Sequence, residues 1–82
     1  LSNNYDIIAN LNYFTALNHP LLVGVSRKSM IYKLLNTSIL KSINGTTALN
    51  MYSLLNGANI LRVHDAKEAN ECIQIFNEIQ KF

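Results

Sequence analysis

The middle of this 82-residue sequence contains no acid. Between Asp6 and Asp65 there is neither Asp nor Glu, while Arg27, Lys28, Lys33, Lys41 and Arg62 all fall inside the interval. Chemistry that relies on a pair of carboxylates as general acid and base has no residues to use there. The uncompensated positive charge points instead to an anionic partner, either a phosphate compound or a nucleic acid. Cysteine is nearly absent as well. Cys72 stands alone, so no internal disulfide can form, and the sequence shows no metal-ligand cluster. A lone cysteine fits a reducing compartment. No apolar run approaches the roughly 18 residues that a bilayer crossing requires. The start, Leu1-Ser2-Asn3-Asn4, lacks a basic segment followed by an apolar core, so no signal peptide is expected and the cytoplasm is the expected location. The first residue is not Met, which leads to the expectation of a fragment or a missing start.

What is present is largely apolar. Hydrophobic residues make up 49% and charged residues 15%, which excludes a disordered chain. The length allows at most one small domain with a modest core. Asparagine is frequent but spread along the whole chain, so no low-complexity segment is read into it.

Periodicity gives the order helix, strand, helix, strand, helix. Ile7, Leu11, Phe14 and Leu17 recur at helical spacing and predict a helix over residues 3–17, with Asn18 as C-cap and Pro20 blocking continuation. Leu21-Leu22-Val23-Gly24-Val25 is an apolar run of strand length, apolar on both faces as in an interior parallel strand. A short helix is expected over 29–35, then a polar loop over 36–44. Residues 46–56 predict the second main helix, with Leu49, Tyr52, Ser53, Leu54 and Leu55 as its buried stripe and Gly57 as a glycine cap. A second strand is expected over 59–63. A last helix over 66–81 follows, with Asp65 and Glu68 forming a capping box and Ala69, Cys72, Ile73, Phe76 and Ile79 on its apolar face.

That order implies an α/β fold with parallel strands joined by right-handed crossovers. Parallel strands end on the same side of a sheet, so Ser26, Arg27, Lys28 and Ser29 after the first strand converge with Arg62 and His64 on the second. That edge is where ligands bind in α/β sheets and barrels. Arg62 and His64 are two residues apart and project from one face. Two apolar parallel strands also need neighbours on their outer edges, so further strands or a partner chain are expected.

The chemistry at that edge suits an anionic oxygen, most naturally phosphate or pyrophosphate. Arginine binds phosphate through paired hydrogen bonds, lysine acts as a point charge, and histidine donates in either protonation state. Ser26 and Ser29 add hydroxyls, and the helix start at Ser29 adds backbone N–H groups. Plainer readings exist for each residue. Arg27 and Lys28 alone read as a solvated loop. Arg62 within an apolar strand reads differently, because a buried charge without a partner costs on the order of several kcal/mol. His19, before Pro20, reads as structural or merely exposed, and Met30, Met51 and Cys72 as core filler. A nucleic-acid binder would spread basic residues over a helix face among stacking aromatics. Here they collect at strand ends, so no nucleic acid is expected as partner. The polar face of the last helix is not basic, so no membrane is expected either.

Two separated stretches also resemble one family. Leu22-Val23-Gly24-Val25-Ser26-Arg27-Lys28-Ser29-Met30-Ile31 resembles the Ser-Arg-Lys loop of dihydropteroate synthases. Gly45-Thr46-Thr47-Ala48 resembles the start of that family's next helix, and the run from Gly57 through Arg62-Val63-His64-Asp65 its final strand motif. The resemblance implies a TIM (β/α)8 barrel, of which this chain is the last third or so, carrying the final two parallel strands and three main helices. It implies a transferase that joins 6-hydroxymethyl-7,8-dihydropterin pyrophosphate to p-aminobenzoate in folate biosynthesis, releasing 7,8-dihydropteroate and pyrophosphate. Lys28, Arg62 and His64 are then the catalytic group. Ser26, Arg27, Lys28, Arg62 and His64 are the substrate-binding set, with Ser26 toward p-aminobenzoate or a sulfonamide mimic and His64 on the diphosphate. Mg2+ is the implied cofactor, with its ligands outside this chain and none within it. The small-molecule substrates, the rest of the barrel in the same or another chain, and a homodimer are the implied partners. The sequence departs from the family pattern at Tyr32, where Gly is usual, and at Ser42, where Arg is usual. The family's N-terminal loop and acidic pterin-binding residues are not in this sequence, so no turnover is expected from it alone. The competing expectation is an inactive split or degenerate remnant of the enzyme.

Overall fold

The computed structural model describes residues 2–17, 19–25 and 28–82. Asn18, expected as a helix cap, and Ser26 and Arg27 of the candidate loop lie outside the described residues, as does the Leu17 side chain.

Helix α1 covers Ser2–Ala9 and gives way to a 3-10 helix, Leu11–Leu17, so the single helix expected over 3–17 is broken. Asn10 is the cause. Its side-chain Nδ2 donates to the Asp6 carbonyl at 2.8 Å and to Asp6 Oδ1 at 3.2 Å. The Asp6 carbonyl is the one that an α-helix offers to the Asn10 N–H, which turns instead to Ile7 O at 3.2 Å. The break rotates the apolar face. Ile8 and Leu11 are buried, whereas Ile7 and Phe14, expected inside, are exposed.

Strand β1, Leu22–Val23, pairs in parallel with β2, Ile60–Leu61, and Leu22 lies opposite Ile60 and Val23 opposite Leu61. Both are shorter than the expected runs 21–25 and 59–63. Bonds at either end extend the pairing: Asn59 N–H donates to Leu21 O at 2.8 Å and Arg62 N–H to Val23 O at 2.9 Å. The Leu21 N–H donates in turn to Asn59 Oδ1 at 2.8 Å, so one asparagine clamps both backbone groups of Leu21 and holds the register.

Helix α2, Ser29–Tyr32, continues as turns to Asn36, which takes a left-handed φ of 54°. Thr37 N–H then reaches Tyr32 O at 2.9 Å and Asn36 N–H reaches Lys33 O at 3.3 Å, the paired bonds of a Schellman ending. The expected loop over 36–44 instead contains a 3-10 turn, Ile39–Lys41, and the first residues of α3, Ile43–Leu55. Gly45 sits in that first turn because α2 approaches there. A Cβ on it would overlap Ile31 Cγ2 and lie 3.0 Å from Leu35 Cδ1. At the far end Gly57 takes φ 106°, with Ala58 N–H bonded to Ser53 O at 2.9 Å and Gly57 N–H to Leu54 O at 3.3 Å, the glycine cap expected there.

The inner face of α3 matches its expected stripe at Ser53 and Leu54 and departs from it elsewhere. Thr46, Asn50, Ser53 and Leu54 are buried, Leu49 is half-buried, and Tyr52 and Leu55 are exposed. Helix α4, Ala66–Ile79, packs along α3 with Ala69 and Cys72 inside and Ile79 exposed. Asp65 holds the N-cap position, but its side chain makes no capping hydrogen bond, so the expected capping box with Glu68 is not formed. The chain is thus α/β, with two parallel strands and four α-helices among the described residues. Its apolar core of Ile8, Leu11, Val23, Val25, Met30, Ile31 and Ala58 brings together α1, the 3-10 helix, β1 and α2.

Candidate functional site

Alternation along the strands gives the small sheet a closed face and an open one. Val23 and Val25 are buried and Leu61 and Val63 half-buried. Leu22, Ile60, Arg62 and His64 are exposed. The register places Gly24 next to Arg62, and the Arg62 stem lies across the glycine: a Cβ on Gly24 would sit 3.5 Å from Arg62 Cβ and 3.8 Å from Cδ, in ordinary contact.

Lys28 N–H donates to Val25 O at 3.3 Å, and Lys28 O accepts from Ile31 N–H at 2.9 Å. Lys28 therefore stands between the end of β1 and the start of α2, at the N-cap position of that helix. Leu22, Gly24, Lys28, Arg62 and His64 together line a cleft of ≈ 410 Å³. Three of the residues expected to form a site thus share one cleft, although Lys28 and His64 are far apart in the chain. Leu22 and Gly24 were not singled out as site residues in the sequence. Counting back by two from Arg62 across a parallel register is the signal that finds them.

Arg62 is exposed, so burial of its charge does not mark it as functional, contrary to expectation. The open face of the sheet carries no cover among the described residues, and the guanidinium is free of the desolvation that an interior strand would impose. What marks Arg62 is its neighbours. A guanidinium and an ammonium with an imidazole beside them can hold an anion with several oxygens, the first through a fork and the second as a point charge.

The remaining candidates separate from this cleft. His19 is exposed at the opposite end of the strands, beside Thr15, Pro20, Gly57 and Asn59. Met30 and Cys72 are buried and Met51 is half-buried. Cys72 Sγ faces Thr47 O at 3.8 Å, and burial pushes its thiol pKa up, which removes it as a nucleophile. Among the described residues, no three His, Cys, Asp or Glu side chains come together as a metal site. No helix among the described residues is long and apolar enough to cross a membrane.

Known proteins share this sequence and fold. The Escherichia coli (strain K12) dihydropteroate synthase is 45% identical over 75 residues, which is 92% of this chain and 27% of that protein. The Haemophilus influenzae dihydropteroate synthase is 36% identical over 76 residues, 93% of this chain and 28% of that protein. The crystal structure of the Yersinia pestis dihydropteroate synthase superposes with a TM-score of 0.95 at 37% identity, covering 99% of this chain and 38% of that one. The same enzyme solved with a pterine-sulfa conjugate also gives a TM-score of 0.95. The chain therefore spans about a quarter of the length of the curated relatives it matches. The profile of the family described as "Pterin binding enzyme" matches residues 1–64, which takes in β1, β2, Lys28, Arg62 and His64, and the chain belongs to that family.

Proposed function

We propose that this chain is the C-terminal part of a dihydropteroate synthase, a transferase that condenses 6-hydroxymethyl-7,8-dihydropterin pyrophosphate with p-aminobenzoate. In this reading β1 and β2 are the last two strands of a (β/α)8 barrel, and their open face, with Leu22, Arg62 and His64, looks into the barrel interior. Barrels of this kind often bind phosphate at the C-terminal ends of their seventh and eighth strands. The observation that carries the reading is the single cleft formed by Lys28, Arg62 and His64 at the ends of two parallel strands.

The reaction breaks the bond between the pterin methylene carbon and the diphosphate oxygen. Negative charge grows on the departing oxygens as positive charge grows on the methylene, and the p-aminobenzoate nitrogen then attacks that carbon and loses a proton. In this reading Arg62, Lys28 and His64, which line one cleft, are the donors set against the growing negative charge, and electrostatic stabilisation of that charge lowers the barrier. Ser26, which precedes Lys28 by two positions in the sequence, belongs to the p-aminobenzoate side of this reading, and Arg27 beside it adds a further positive charge. A pterine-sulfa conjugate on the related Yersinia pestis enzyme supports placing both substrates within one such site. A magnesium ion in this reading takes its ligands from outside this chain, and no step here is routed through it.

The test is Arg62→Ala in the full-length protein. Binding of the pterin pyrophosphate is expected to weaken roughly tenfold or more, the scale of a lost hydrogen bond to a charged group. Titration calorimetry reads it directly, and unchanged affinity together with unchanged turnover removes the assignment.

A further inference from the structure

The helix that delivers Lys28 is too short to hold itself in place. Helix α2 has four residues, and an isolated turn of that length has no stability of its own. Its position is set by what grips it. Met30 and Ile31 are buried in the core, and Ile31 meets α3 at Gly45. On the α1 side the grip is polar. Tyr5 Oη donates to Met30 O at 2.6 Å, across 25 residues of sequence. Tyr5 is half-buried and its ring packs against the core, so the hydroxyl is delivered from a fixed platform. Met30 is two residues beyond Lys28. The backbone between them is tied by the bond from Ile31 N–H to Lys28 O at 2.9 Å.

We propose that Tyr5 is a positioning residue for the anion cleft: its hydroxyl anchors α2 through the Met30 carbonyl and so fixes where Lys28 stands opposite Arg62 and His64. The inference rests on the anion-binding reading of the cleft. Tyr5 is not among the residues that line that cleft, so its route to the anion runs through α2 and Lys28. The bond is short and joins a hydroxyl to a carbonyl inside a partly closed contact, where the loss of one partner leaves the other without a substitute. Phenylalanine keeps the ring and its packing, so Tyr5→Phe separates the anchor from the core contribution.

The experiment uses the full-length protein and inorganic pyrophosphate as the probe, with dissociation constants from titration calorimetry for wild type, Tyr5→Phe, Lys28→Ala and the double variant. Tyr5→Phe is expected to weaken binding about three- to tenfold, the range of one neutral hydrogen bond. In the Lys28→Ala background the same change is expected to have no further effect, because its route to the anion is gone. A merely structural role lowers the melting temperature and leaves the two changes additive, and additivity, or unchanged affinity for Tyr5→Phe, overturns the proposal. If pyrophosphate affinity does not depend on Lys28 at all, the anion reading of the cleft falls and the inference falls with it. If Lys28→Ala weakens binding and Tyr5→Phe does not, only the anchor is refuted.

Discussion

Polar side chains occupy two opposite settings in this chain. On α3, Ser42, Thr46, Asn50 and Ser53 lie at its start and along its inner face, each no more than 3% exposed. At the strand ends, Lys28, Arg62 and His64 are all exposed and share a cleft. The buried set is small and neutral, and much of it is satisfied locally: Ser42 Oγ donates to Ile39 O at 2.6 Å and Ser53 Oγ to Leu49 O at 2.7 Å. The exposed set is cationic or able to become so. Burial and the cleft therefore pick out different polar residues here. Helix packing absorbs the neutral ones, because a serine that bonds its own backbone is hardly more polar than alanine. The charged ones stay where an anion can reach them.

The strongest way to break this contrast is at the seam between the two regions. Ile31, 1% exposed, packs into α3 at Gly45 from the short helix that follows Lys28. Ile31→Ala is expected to cost roughly 2–5 kcal/mol of stability, measured by urea unfolding, and to weaken pyrophosphate binding along with it. A stable variant with full affinity would show that α2 is held elsewhere.

A smaller effect sharpens the buried side. Asn50 Oδ1 is buried without a hydrogen-bond partner among the described residues, so the amide carries a desolvation cost that none of them offsets at that atom. Asn50→Leu, close in volume, is expected to leave stability unchanged or raise it by about 1 kcal/mol. A loss of more than about 2 kcal/mol, on the scale of a broken buried bond, would show that the rest of the amide secures α3.

The smallest effect belongs to Cys72. Burial raises its thiol pKa, so the folded state favours the neutral form more than the unfolded chain does. The sign follows directly. Stability from this group is fully present below the ordinary thiol pKa of about 8.5 and declines as the pH rises past it. Cys72→Ala should flatten the alkaline limb of a stability-against-pH curve, and an identical limb would assign it to other groups.

Much of this was legible in the amino acids. The order of elements, the glycine cap at Gly57, the buried places of Met30 and Cys72 and the convergence of Lys28 with Arg62 and His64 all follow from periodicity and parallel strand direction. Other features did not, three of them for a plain physical reason. The break at Asn10 depends on a side chain outcompeting one backbone N–H, and apolar spacing is blind to that. The inner face of α3 was legible only at Ser53 and Leu54: the apolar stripe also took in Tyr52 and Leu55, which are exposed, whereas close approach to neighbouring helices favours small residues such as Thr46. The exposure of Arg62 escaped because a strand apolar in sequence was read as covered on both faces, and the described residues cover only one.

The Asn59 clamp on Leu21 joins positions 38 residues apart. Closing a flexible loop of that size carries a length-dependent entropy cost of about 3 kcal/mol before any contact repays it. Lys28 lies inside that loop and Arg62 and His64 just past its closing point, so the two halves of the cleft have no local route to each other. The site is a long-range event in the chain's history: any state in which the strands have parted holds scattered cations and no cleft, whatever helix it retains.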